Sequence, residues 1–170
     1  MRGERFDKLI SALKLVLSSN SDFDIRFTSN DKAVIIPFAY SAITYEPEWN
    51  STNYSYDELI DNCESLLPYG NTAAYDGLEK SIETLLKDNS LSKDYNLSII
   101  LMTDGEINVG DYSEFSNYYI LKNSGIPIYS IMFGDASDFE LERIANLSNG
   151  KVFDGKGNLE EAFKEVRGYN

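Results

Sequence analysis

Leu97-Ser98-Ile99-Ile100-Leu101-Met102-Thr103-Asp104-Gly105-Glu106 is an apolar run that ends abruptly in a carboxylate, a glycine and a second carboxylate. A short continuous apolar run bounded by polar turns reads as a strand buried on both faces, the kind found in the middle of a parallel sheet. Asp104 then stands at the carboxyl edge of that strand. In open α/β sheets ligands collect in the crevice beyond this edge, which makes an acid placed there a site candidate. Asp and Gly are also ordinary turn residues, and on position alone the two readings weigh the same.

Downstream, Asp111 and Glu114 have capping-box spacing and introduce a helix carrying Phe115, Tyr118 and Tyr119, with Gly125 and Pro127 to end it. Pro127 to Phe133 reads as the next buried strand. Ser137 and Glu140 form a further capping box before a helix with Phe139, Ile144 and Ala145, which Gly150 ends. Lys151-Val152-Phe153 is a short last strand, and Asn158 and Glu161 open a final helix with Leu159, Ala162, Phe163 and Val166 facing inward. Upstream, Pro68-Tyr69-Gly70-Asn71-Thr72 precedes a helix whose buried face is Ala74, Leu78, Ile82, Leu85 and Leu86. A threonine in the position of Thr72 most simply caps that helix.

Ser55 and Glu58 form another capping box, opening a helix with Leu59, Ile60, Cys63, Leu66 and Leu67 on one face. Residues Phe38 to Tyr54 lack a period and read as a surface excursion whose aromatics, among them Tyr40, Tyr45 and Trp49, form a partner-binding lip or, more simply, fold on themselves. Asp24–Phe27 and Ala33–Ile36 read as two strands of a hairpin, with Pro37 closing the second as at a sheet edge. The first helix places Phe6, Leu9, Ile10, Leu13, Val16 and Leu17 on one face. Alternating strands and helices imply right-handed crossovers, a mostly parallel sheet and helices on both of its faces. Residues 1–170 read as a single domain.

The 15 Lys and Arg stand against 28 Asp and Glu, a formal charge of −13. That balance argues against nucleic acid or anionic lipid as the main partner and accommodates a cation or a basic one. The chain has no histidine, and its only cysteine is Cys63. Imidazole bases, Cys/His nucleophile pairs and ordinary zinc sites are thereby excluded, and with them most hydrolase chemistries. No run approaches the ~18 apolar residues of a membrane helix.

Two positions combine oxygen donors with a strand end or helix start: Thr72 and Asp104. A hydroxyl and a carboxylate suit a hard divalent cation such as magnesium, which takes six oxygens and usually keeps some waters. Two protein ligands are too few for a tight site.

The stretch Gly70-Asn71-Thr72-Ala73-Ala74-Tyr75-Asp76-Gly77-Leu78 resembles the second metal loop of the von Willebrand factor type A domain, and Leu101-Met102-Thr103-Asp104-Gly105-Glu106 resembles its third. The two occur in the family's order, separated by one amphipathic helix. The resemblance implies a Rossmann-like, doubly wound sheet with one antiparallel edge strand. It also implies a non-enzymatic, adhesion-type interaction module whose metal-ion-dependent adhesion site holds Mg2+ or a similar ion, completed by a carboxylate of a protein ligand. Thr72 would be a direct ligand, Asp104 a ligand directly or through water, Glu106 a supporting residue and Asp76 a structural one. An extracellular or cell-surface setting, at the C-terminal end of a larger bacterial protein, is implied by the same resemblance.

The family opens with a central strand ending in Asp-x-Ser-x-Ser, whereas Met1-Arg2-Gly3-Glu4-Arg5 resembles the segment immediately after that motif. Five strands are therefore expected, with a partial metal site that binds weakly or not at all. A gap between Asp24–Phe27 and Leu97–Met102 is expected to be filled by direct pairing, by a swapped segment or by upstream chain. A phosphoaspartate receiver using Asp104 is the alternative function, against which the absence of lysine from Pro127 to Gly134 counts. A carboxylate-pair hydrolase is a third, but the acids have no distinguishing spacing.

Overall fold

The computed structural model describes residues 3–18, 27–42, 50–67, 70–87, 91–136 and 138–169. Three strands, β1 (Ile99–Thr103), β2 (Ile128–Met132) and β3 (Val152–Asp154), form a parallel sheet in the order β1-β2-β3. Seven helices lie among the described residues: α1 (Glu4–Leu17), α2 (Tyr56–Glu64), α3 (Ala74–Leu86), α4 (Leu91–Asp94), α5 (Tyr112–Lys122), α6 (Asp138–Ser148) and α7 (Leu159–Tyr169). The ladder sets Ile99 opposite Ile128 and Leu101 opposite Ser130, and on the other side Ile131 opposite Phe153. Helices α5 and α6 make the crossovers that parallel pairing requires.

Side chains alternate across each strand, and different helices cover the two faces. Ile99, Leu101 and Ile128 pack with Leu78 and Ile82 of α3, Phe115 of α5 and Ile144 of α6. Tyr129, Ile131 and Phe153 point the other way, against Val16 of α1 and Phe163 and Val166 of α7. Ile128, Ile131, Phe115 and Val166 are fully buried, and burial of each such side chain stabilises the fold by roughly 1.5–3 kcal/mol. This is the expected α/β architecture with helices on both faces of a parallel sheet.

Local signals are strongest at helix starts. The Ser55 hydroxyl accepts from the Glu58 N–H at 3.2 Å while the Glu58 carboxylate accepts from the Ser55 N–H at 2.7 Å, the reciprocal pair that opens α2. Asp111 caps α5 by accepting from the Ser113 and Glu114 amides at 2.7 and 3.2 Å.

Elsewhere the structure departs from the pattern. Leu67 is 81% exposed because α2 already ends at Glu64 and the face it would have continued stops there. Phe139 is 66% exposed, on the first turn of α6 beside the Arg143 guanidinium. Phe38 does not begin a surface excursion: its ring packs against α3, where a Cβ on Gly77 would lie 2.9 Å from it.

The expected antiparallel edge strand at Ala33–Ile36 is represented by an isolated bridge from Val34 to Asn50, with no ladder to the sheet. Three strands, not five, occur among the described residues. β2 is the strand covered on both sides, whereas Ile100 and Met102 of β1 are only half-buried because β1 ends the described sheet. Asp24, Ile25, Arg26, Tyr45, Trp49 and Ser137 lie outside the described residues.

Candidate binding site at the carboxyl edge of the sheet

Thr103, the last residue of β1, is buried, and its hydroxyl donates to the Gly105 carbonyl at 3.0 Å. That bond tightens the turn in which Asp104 leaves the sheet, with 9% of its surface exposed. The Asp104 carbonyl accepts from the Asp135 N–H at 2.9 Å, which ties this turn to the loop after β2. Gly134 makes the approach possible. It has a left-handed φ of 61°, and a Cβ there would lie 2.8 Å from the Asp104 carbonyl oxygen and 3.0 Å from the Arg5 guanidinium.

Thr72 reaches the same place from the loop before α3. Its N–H donates to Asn108 Oδ1 at 2.8 Å, and its carbonyl accepts from the Asn108 N–H at 3.3 Å. A Cβ on Gly105 would lie 3.9 Å from the Thr72 hydroxyl, which places that hydroxyl next to the turn that carries Asp104. Thr72 is not the helix cap. The residue that caps α3 is Ala73, and no side chain caps this end. Asp76 lies half-buried in the first turn of α3, and Glu106 is exposed in the loop after Asp104.

Arg5, Asn108 and Asp135 are the site residues that sequence reasoning missed. From the first turns of α1, Arg5 Nη2 donates to Asp135 Oδ2 at 2.7 Å, and Nη1 lies 3.7 Å from Asp104 Oδ2. The hydrogen bond and the charge of Arg5 hold the Asp135 carboxyl below its usual range. With Arg5 43% and Asp135 84% exposed at the side chain, solvent screens the pair and it adds little to stability. Its consequence is electrostatic, since a fixed cation stands against Asp104. No local pattern marks these residues, because each acts on a loop distant in the chain.

The fold implies a divalent cation here, and the donor set is a poor match to one. Of the two expected ligands Thr72 offers a hydroxyl and Asp104 a carboxylate that a guanidinium faces, while the other carboxylate of the site, Asp135, is held by that same guanidinium. Among the described residues no group of three or more His, Cys, Asp or Glu is arranged to hold a metal ion. Magnesium demands near-octahedral oxygen coordination, so these residues do not make a tight resident site.

A parallel sheet with helices on both faces and polar loops converging beyond its carboxyl edge defines a Rossmann-like α/β binding domain. The chain belongs to the von Willebrand factor type A domain family, whose model matches residues 1–165. Among solved structures it is similar to a von Willebrand factor type A protein from Catenulispora acidiphila, with a TM-score of 0.72 and 16% identity. That match covers 96% of this chain and 36% of the other. Proximal thread matrix protein 1 from the mussel byssus has a TM-score of 0.62 and 19% identity, over 96% of this chain and 42% of that one. The chain thus spans well under half the length of either structure. No curated protein matches it. Among the described residues, no helix is long and apolar enough to cross a membrane.

Proposed function

We propose that this chain is a non-enzymatic protein-interaction module that engages its partner beyond the carboxyl end of β1, with Thr72 and Asp104 as contact residues. The observation that carries the reading is the convergence of the Thr72 loop and the Asp104 turn at one sheet edge, in a chain of the von Willebrand factor type A family. Mg2+ or a similar ion binds there weakly, at millimolar levels or worse, because most of its six ligands would be water. A protein ligand presenting a carboxylate finds a cation at this edge in either case, the Arg5 guanidinium being fixed beside Asp104.

The test is selection of a displayed random-peptide library on the domain, followed by binding of the enriched peptides to Thr72→Ala and Asp104→Ala variants of verified fold. Loss of about tenfold or more in affinity on both variants is expected. Enriched peptides that bind both variants unchanged would move the contact surface elsewhere. A phosphate adduct on Asp104 after exposure to acetyl phosphate, read by intact mass, would overturn the interaction reading in favour of a phosphoacceptor.

A further inference from the structure

The amino end of α3 has no side-chain cap, Ala73 standing in the cap position, so the Thr72 loop takes its place from tertiary contacts. One is made by backbone alone: the Ala73 N–H donates to the Ala39 carbonyl at 2.9 Å. A second is the two-way pair between Thr72 and Asn108. The third is Tyr75, which is buried. Its ring lies against Gly110, where a Cβ would come within 3.1 Å of it, and stacks on Phe115 with ring centroids 5.3 Å apart.

A phenol on a buried ring needs a partner, and the Tyr75 hydroxyl donates to the Glu140 carboxylate of α6. Glu140 Oε1 also accepts from Arg143 Nη1 at 3.2 Å. The Arg143 guanidinium lies 3.6 Å from the centre of the Tyr112 ring, and the Tyr112 hydroxyl donates to the Arg143 carbonyl at 3.2 Å. Tyr112 meets Tyr75 edge to face, with centroids 6.4 Å apart. These four side chains close a circuit through α3, α5 and α6. Tyr75 and Tyr112 stand three and four residues from Thr72 and Asn108, so the circuit grips both loops on the Thr72 side of the candidate site. α6 begins at Asp138, three residues beyond the Asp135 whose N–H ties the Asp104 turn. One helix end thus reaches both halves of the site.

We propose that Glu140 and Arg143 are positioning residues: from the first two turns of α6 they hold Tyr75 and Tyr112, and through these they fix where the Thr72 hydroxyl stands relative to Asp104. Their role rests on Thr72 and Asp104 being the partner contacts. A contact residue held in place by its neighbours loses less freedom on binding, so slack in the circuit weakens the partner without deleting a contact. Arg143 suits the task because its planar guanidinium can stack on one group while it donates to another.

The direct measurement is amide exchange, because the Thr72 and Asn108 N–H groups each close one of the two bonds between the loops. In Glu140→Ala both amides are expected to exchange about tenfold faster, while those of Leu101 and Ile131 in the sheet keep their rates. Tyr75→Phe breaks the same bond from its other end, keeps the ring and should do likewise. Glu140→Gln keeps an oxygen to accept from Tyr75 and should restore slow exchange, and Glu142→Ala, exposed on the same helix, should change nothing. Peptides enriched on the unaltered domain should bind Glu140→Ala and Tyr75→Phe about tenfold more weakly and Glu140→Gln about as well. Unchanged exchange at Thr72 and Asn108 in both breaking variants, or acceleration that Leu101 and Ile131 share, overturns the positioning role. Peptides that lose affinity on Thr72→Ala but not on Glu140→Ala also overturn it and leave the contact site standing. Peptides indifferent to Thr72→Ala and Asp104→Ala overturn the contact site instead, and accelerated exchange then still upholds the circuit as the holder of the two loops.

Discussion

Arg5 Nη1 lies 3.7 Å from Asp104 Oδ2 while Nη2 of the same guanidinium holds Asp135 at 2.7 Å. A rigid, permanently charged fork in this position gives the Asp104 carboxylate a counter-ion from its own chain. A divalent cation arriving at Asp104 has to displace that fork or accept its repulsion.

Arg5→Gln should therefore tighten magnesium and manganese. Arg5 stands in solvent, where water and salt screen its charge, so the gain is expected to be only a few-fold. Calorimetric titration of both ions into both proteins reads it, and adding Thr72→Ala or Asp104→Ala should abolish the gain. Micromolar binding by the unaltered chain that survives both of those substitutions would place the ion elsewhere in the molecule.

Leu101 and Ile131 lie on opposite faces of the sheet, in the two separate cores. Leu101→Ala and Ile131→Ala should each destabilise by about 2–5 kcal/mol through the cavities they leave. Leu67→Ala, at a side chain largely in solvent, should fall within about 0.5 kcal/mol. Urea midpoints rank the three, and a loss at Leu67 equal to the others would contradict its exposed position.

The features legible in the sequence are local ones. The Ser55 and Glu58 pair sits within one helical turn, and the apolar runs around Leu101 and Ile131 carry their own pattern. The adjacency of the two strands comes from the short crossover through α5. Leu67 shows where pattern alone overreaches, because periodicity does not say where α2 stops. Thr72 and Asp104 could be selected by residue type and position, but Arg5 and Asn108 could not. An arginine on the first helix turns toward the site only because α1 packs on α7 and the sheet, and Asn108 matters through the backbone of a loop that tertiary packing brings to it.

Gly150 and Gly157 make an internally controlled pair. A Cβ on Gly150 would be driven into the Ile128 carbonyl, a backbone atom at the start of β2, while a Cβ on Gly157 meets nothing within 4 Å. The Ile128 N–H is also fixed, donating to the Ser148 hydroxyl at 3.0 Å, which limits relaxation. Gly150→Ala should cost about 3 kcal/mol or more and Gly157→Ala about 0.5 kcal/mol or less. Equal thermal midpoints for the two variants would contradict the tight approach of the α6–β3 turn to β2.

Cys63 is buried in the small cluster beneath α1 and α2. Burial, and then the charge of Glu64, push its thiol up to about 11. Thiolate is the reactive form, so Ellman's reagent at about pH 8 should label the native protein slowly and the urea-unfolded protein fast. Rapid native labelling would mean that the α1–α2 contact opens readily.

Arg167 on α7 reaches Asp31 with both terminal nitrogens, at 3.2 and 3.3 Å, and lays its guanidinium 4.5 Å over the Phe27 ring. Burial raises the Asp31 carboxyl, but the Thr28 N–H and hydroxyl, at 2.7 and 2.9 Å, together with the Arg167 charge, outweigh it and leave the group below its ordinary value. A carboxylate lowered in the folded state contributes stability that is complete above its unfolded pKa, near 4, and that is lost as pH falls through the folded value. Stability should therefore decline below about pH 4, and Asp31→Asn should flatten that decline while costing about 1 kcal/mol or less at neutral pH, given the partial exposure of the pair. Denaturant midpoints of the two proteins between about pH 7 and pH 3 measure the difference. Parallel acid limbs would assign the acid sensitivity to other carboxylates and leave Asp31 as a packing contact between α7 and the segment from Phe27 to Asp31.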